Sequence, residues 1–128
     1  MGKNFINMHE ASVCRNIVST IEDEMEYESL EKIREIHIKV GVLSCIEPGA
    51  LQQAFTFIKT GTPFQNSELY IDLVEVTAQC EECGEKFKVD KYKFVCPKCE
   101  APVSNIMEGQ ELLIHKIILE ESPYAETN

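Results

Sequence analysis

Between Ala11 and Tyr27 the apolar residues Cys14, Ile17, Val18, Ile21 and Met25 recur three or four positions apart. Arg15, Asn16, Ser19, Glu22, Asp23 and Glu26 fill the other side, so this stretch predicts an amphipathic helix with one buried stripe. A polar connection, Glu28 to Lys32, follows. The period then changes to two. Ile36, Ile38, Val40 and Val42 alternate with Glu35, His37, Lys39 and Gly41, the pattern of a strand with one face on a core. Helical spacing returns from Ser44 to Pro63, with Leu51, Ala54, Phe55 and Ile58 as the inner stripe. Pro48 suits the first helical position, where its missing N–H costs nothing, and Gly61 and Pro63 stop the helix. Leu69, Ile71 and Leu73 then alternate with Glu68, Tyr70 and Asp72 in a second strand. Strand, helix and strand make a crossover unit, right-handed if the strands are parallel neighbours in one sheet.

From residue 78 to about 106 the aliphatic pattern gives way to cysteine, lysine and glutamate. "GQELLIHKIILEE" then restores strand composition, with Leu112, Ile114 and Ile118 expected on one side. The chain therefore reads as an α+β protein: a small mixed β-sheet packed with two helices, plus an inserted cysteine module. Residues 1–77 and 107–128 form one domain and 78–106 the other. The tail "SPYAETN" has little to bury and is expected to fray.

Composition narrows the function classes. The chain has 128 residues and a net charge of −10, a field that repels phosphate backbones and disfavours nucleic acid as a partner. No apolar run is long enough to span a bilayer, which disfavours a membrane role. The start, "MGKNFIN", has no secretory pattern, and Ile6 stands where myristoylation needs Ser or Thr, so a cytoplasmic location is expected. Nothing resembles a Ser/His/Asp set or a phosphate-binding glycine loop, so the chain does not read as an enzyme.

The strongest chemical signal is "CEECGEKFKVDKYKFVCPKC". Cys80 and Cys83 form one pair and Cys96 and Cys99 another, each with two residues between, and twelve residues separate the pairs. Two intervening residues let the chain turn so that both sulfurs face one point, and Gly84 and Pro97 suit such knuckles. Four thiolates around a tetrahedral centre suit Zn²⁺, and a closed four-sulfur site is structural, leaving no open position for water. Redox dithiols usually come singly, and a reducing cytosol opposes disulfides. A module of about 25 residues needs the metal to fold. Two short strands, Lys86–Val89 and Lys93–Val95, are expected between the pairs. Five lysines and five acids from Cys80 to Glu100 give no basic stripe, so docking, metal sensing and a mechanical role all stay open.

The remaining candidates are weaker on their own. His9 stands near the start, while His37 and His115 fall at polar positions of their strands. Cys14 lies on the buried stripe and reads as a small hydrophobe. Cys45 sits in a turn before the second helix.

Together, "MHEASVCRNIV" at 8–18, "KVGVLSCIEPGALQQAF" at 39–55, the "CEECG…CPKC" ribbon and "GQELLI" at 109–114 resemble the HypA/HybF family of nickel metallochaperones in [NiFe]-hydrogenase maturation. The resemblance runs from Met8 to about Glu121. It implies a non-enzymatic carrier of Ni²⁺ with a structural Zn²⁺, working with a HypB-type GTPase and delivering nickel to a [NiFe]-hydrogenase large-subunit precursor. It places nickel at the beginning of the protein, on His9, with Glu10 as a possible second contributor or as a tuner of the charge. Ni²⁺ accepts planar coordination by imidazole and backbone nitrogens, so this head is expected to be exposed and pliable and the zinc centre buried. Family chains normally begin at the methionine of Met-His-Glu. Here seven residues precede it, and only a start at Met8 would leave an amine there to ligate. The competing reading is a zinc-ribbon interaction module without nickel.

Overall fold

The computed structural model describes residues 8–120; the tail at 122–128 lies outside them. The chain divides into two compact units. One takes residues 46–71 with the described parts of 1–38 and 114–128, and the other takes 39–45 and 72–113.

The first unit is built on the two predicted long helices. Helix α1 spans Met8–Glu24, beginning three residues before Ala11, the expected start of the amphipathic stretch, and ending before Met25. Its buried stripe is Val13, Cys14, Ile17 and Ile21; Val18 is only half-buried. The expected polar connection contains a short helix, α2 (Tyr27–Leu30), because Leu30 turns inward and is 2% exposed. Strand β1 spans Ile33–Gly41, with Ile36, Ile38 and Val40 buried. Val42 does not continue the alternation. It opens a 3-10 turn, Val42–Ser44, and is exposed.

Helix α3 spans Pro48–Lys59, with Pro48 in its first turn as its sequence position predicts. Glu47 caps it: one carboxylate oxygen accepts from Ala50 N–H at 2.8 Å and the other from Gly49 N–H at 3.1 Å, satisfying two of the donors a helix start leaves over. Leu51, Ala54 and Phe55 are buried against the core, whereas Ile58 is only half-buried. Helices α1 and α3 pack together, and the Cys14 thiol donates to the Leu51 carbonyl at 3.4 Å. Strand β2, Glu68–Val74, follows, and β6 is Leu112–Leu119. The sheet order is β2-β1-β6, so α3 connects two neighbouring strands. Gly41 N–H bonds Glu111 O and Glu120 N–H bonds Lys32 O. Partner numbers fall along β6 as they rise along β1, so these two strands are antiparallel.

Alternation fails on the edge strands. Leu69 is buried but Leu73 is exposed. On β6, Leu112 and Ile118 are exposed, and the half-buried positions are Ile114 and Ile117, three apart. An edge strand has a partner on one side only, which leaves it freer to depart from a strict two-residue period.

The second unit holds a smaller sheet in the order β4-β3-β5, from Thr77–Gln79 (β3), Lys86–Lys88 (β4) and Ile106–Glu108 (β5). Both neighbours run antiparallel to β3, with Ala78 opposite Phe87 and Ile106. Of the two expected strands between the cysteine pairs, the first is present as β4. The second reduces to a single bridge from Val95 to Pro102. Ala78, Cys80, Cys96 and Val103 form the buried centre, with Phe87, Val89 and Ala101 packed against it. Few aliphatic side chains are available here, and two of the four central residues are cysteines. Gly41 and Gly109 meet in this unit: a Cβ on Gly41 would stand 2.1 Å from the Gly109 carbonyl carbon and oxygen. Gly109 itself has φ +119, a conformation that favours glycine.

Candidate metal centres

The cysteine centre is assembled from two turns. Each begins in the buried centre and returns within four residues: Gly84 N–H bonds Cys80 O, and Glu100 N–H bonds Cys96 O, both at 2.9 Å. Gly84 and Glu100 take positive φ where these turns close. The turns bring Cys80, Cys83, Cys96 and Cys99 together with all four sulfurs within 4.8 Å of one another. Cys80 and Cys99 sulfurs are 3.5 Å apart, and those of Cys83 and Cys96 are 3.6 Å apart. Tetrahedral zinc with bonds of about 2.3 Å sets sulfur–sulfur edges at about 3.8 Å, so the spacing fits one such ion.

Backbone donors complete the fit. Glu82 N–H points at Cys80 Sγ at 3.4 Å, and Lys98 and Cys99 N–H point at Cys96 Sγ at 3.3 and 3.4 Å. Burial opposes charge on Cys96, but the Cys99 and Lys98 N–H groups and the thiols of Cys83 and Cys99 bring it down to about 7. The Ala101 N–H favours a Cys99 thiolate, but the thiol of Cys80, burial and the thiols of Cys96 and Cys83 push it up to about 12. Four crowded sulfurs cannot all ionise unless a cation sits among them. The first cysteine of each pair is buried and the second is exposed, so the centre is only half enclosed. The outer turn of each knuckle carries the exposed member.

A brace here left no trace in the cysteine spacing. The Glu81 carboxylate accepts from the Ser104 hydroxyl at 2.7 Å and from the Ser104 N–H at 3.3 Å. The Ser104 hydroxyl foremost, with its own and neighbouring N–H groups, holds the Glu81 carboxyl below the usual carboxylate range. It ties the first knuckle to the segment entering β5.

The Met-His-Glu head forms the first turn of α1. His9 is exposed. Glu10 is 1% exposed, and its Oε2 accepts from Glu47 N–H at 2.9 Å. Its Oε1 has no hydrogen-bond partner among the described residues. The two residues therefore diverge, His9 toward solvent and Glu10 inward to the residue that caps α3. Residues 37 apart in the chain meet here, and no local pattern announces it. His37 is elsewhere on the sheet, 2.7 Å from Glu35 and stacked on Tyr70 with ring centroids 4.7 Å apart.

A family model described as hydrogenase/urease nickel incorporation, metallochaperone, matches residues 8–119. The chain belongs to the HypA family. HypA relatives include the hydrogenase maturation factor of Desulfitobacterium hafniense, 34% identical over 89% of this chain and 100% of the relative. That of Chlorobium luteolum is 35% identical over 89% of this chain and 97% of the relative. A solution structure of the Ni metallochaperone HypA from Helicobacter pylori covers 88% of this chain and 98% of its own, at 22% identity and TM-score 0.59. A second HypA solution structure reaches TM-score 0.64 at 23% identity, over 88% of this chain and 97% of its own. Both share the α+β fold. No helix among the described residues is long and apolar enough to cross a membrane.

Proposed function

We propose that this HypA-family chain is a cytoplasmic, non-enzymatic nickel carrier. It takes up Ni²⁺ as cargo at Met8-His9-Glu10, keeps Zn²⁺ in the Cys80, Cys83, Cys96 and Cys99 cage, and passes nickel to a [NiFe]-hydrogenase large-subunit precursor with the help of a HypB-type GTPase. Residues 1–77 with 107–128 are the nickel-binding domain in this reading, and 78–106 the zinc-ribbon domain. The observation that carries it is the exposed imidazole of His9 on the first helical turn of a chain whose family match begins at residue 8.

The chemistry of a helix start supports this assignment and constrains it. First-turn amides have no acceptor within the helix, so an incoming ion can displace the proton of such an N–H into solvent and take its nitrogen without breaking a helical hydrogen bond. The same end carries partial positive charge, which opposes a cation. Glu10 in that turn offsets the field, and its bond to Glu47 N–H keeps the turn anchored. We therefore assign Glu10 to anchoring and charge balance, and His9 to direct ligation. Weak opposing terms of this kind suit an ion that must be released. Four thiolates suit one that stays.

Metal titration tests the assignment. Zinc-loaded protein beginning at Met1 and protein beginning at Met8 are each titrated with Ni²⁺, with and without His9→Ala. The expected result is one labile nickel per chain beside one zinc, lost in His9→Ala with zinc content and circular dichroism unchanged. Binding through imidazole competes with protons, so nickel affinity should fall on acidification. If neither form takes up nickel, the carrier reading is wrong and a zinc-ribbon interaction module remains.

A further inference from the structure

Five of the chain's 12 cationic side chains fall between Lys86 and Lys98, where Asp90 is the lone acid, in a chain of net charge −10. The fold sorts them. Strand β4 turns Phe87 inward and leaves Lys86 and Lys88 exposed on the edge of its sheet. The chain then makes a tight turn closed by Lys93 N–H to Asp90 O at 3.0 Å. Both central residues, Lys91 and Tyr92, take positive φ, +55 and +60. Hairpin turns with two such residues normally use asparagine, aspartate or glycine, because a Cβ is strained there. Tyr92 is 63% exposed at this tip. Lys88 is paired with Glu75 at 2.6 Å. Among the described residues, no ion pair engages Lys86, Lys91 or Lys93.

We propose that the β4 edge and the Asp90–Lys93 turn form a docking surface for an acidic protein segment. Lys86, Lys91 and Lys93 supply the complementary charge, and Tyr92 supplies a flat apolar contact. Lysines on an edge strand also deter unwanted strand pairing, and cations offset the charge of a zinc–thiolate centre. Neither role calls for an exposed tyrosine held in a strained turn, and strain retained at an exposed tip is a mark of functional placement. Nucleic acid is the weaker occupant, because its higher charge density meets the repulsion of the whole acidic chain. The proposal does not depend on the nickel reading.

The test uses the full, zinc-loaded, isotope-labelled chain, titrated at low salt with a decaglutamate peptide and followed by amide chemical shifts. Shifts are expected to concentrate on Lys86–Lys98 and to weaken with added salt. Lys91→Glu with Lys93→Glu should lower the affinity about tenfold, as expected for reversing two exposed charges, with zinc content unchanged. Lys91→Gln with Lys93→Gln serves if the reversed variant does not fold. Lys91→Asn with Tyr92→Gly relieves the turn, so it should slow zinc loss to a chelator while weakening peptide binding. The proposal is overturned if no peptide binds at low salt, if the shifts centre elsewhere, or if neither lysine pair alters affinity. It is equally overturned if an oligothymidylate of equal charge binds these residues more tightly than the peptide.

Discussion

Gly41→Ala tests a close backbone approach in the molecule's second unit. The added Cβ would lie 2.1 Å from the carbonyl carbon and oxygen of Gly109 and 2.5 Å from Gln110 N. All three are main-chain atoms, so no side chain can swing aside. The Gly109–Glu111 segment is pinned from both directions, by Gly41 N–H to Glu111 O and Leu43 N–H to Gly109 O, each 2.7 Å. Restoring ordinary contact requires a separation of roughly one ångström, which breaks both bonds at a buried site. Two hydrogen bonds lost, with buried groups left unsatisfied, cost about 3–5 kcal/mol. That is a large part of the ~5–15 kcal/mol that holds a domain of ordinary size together. Urea unfolding followed by circular dichroism, at one fixed zinc concentration, should show the midpoint falling by about 2 M for a slope of about 2 kcal/mol per M. Gly61→Ala is the control. Gly61 has φ +77 but nothing within 4 Å of an added Cβ, so the change should cost only about 1 kcal/mol of backbone strain. If Gly41→Ala is no worse than Gly61→Ala, the two segments do not pack as described.

Two further outcomes follow from single buried groups. Glu10→Ala strips the acceptor from Glu47 N–H and leaves a void, at a cost of about 2–4 kcal/mol; Glu10→Gln keeps an acceptor and should stay within about 1 kcal/mol of the native protein. Equal losses for both in urea unfolding would show that the bond to α3 is not what matters. Burial, which Arg15 counters and Glu10 reinforces, pushes the Cys14 thiol up to about 11, while Cys45 is exposed. Zinc-loaded protein treated with a small thiol reagent near neutral pH should therefore label Cys45 quickly and Cys14 only on unfolding, since the thiolate is the reactive form. Rapid labelling of Cys14 would contradict the burial of the α1 stripe.

Local spacing carried what local physics decides. The three- and four-residue rhythm located α1 and α3, Pro48 and Gly61 marked the ends of α3, and two CxxC pairs brought four sulfurs together. What escaped the sequence depends on partners distant along the chain. Glu10 looks like one acid in a polar head, and only the arrival of Glu47 shows that it is buried. Leu30 is a single apolar residue in a polar stretch, too little signal to reveal α2. Thr77–Gln79 and Ile106–Glu108 are too short to show alternation, yet they frame the cysteine segment because each finds the other. Ile117 and Ile118 both read as apolar, and edge geometry rather than hydropathy decides that Ile117 is the less exposed.

The pairing of β3 with β5 closes the neck of the cysteine segment with main-chain hydrogen bonds. Those bonds fix where the chain departs and where it comes back, whatever lies between. A lineage or an engineer can therefore lengthen, trim or replace the hairpin beyond the neck, and the flanking chain will still find its ends at the same distance.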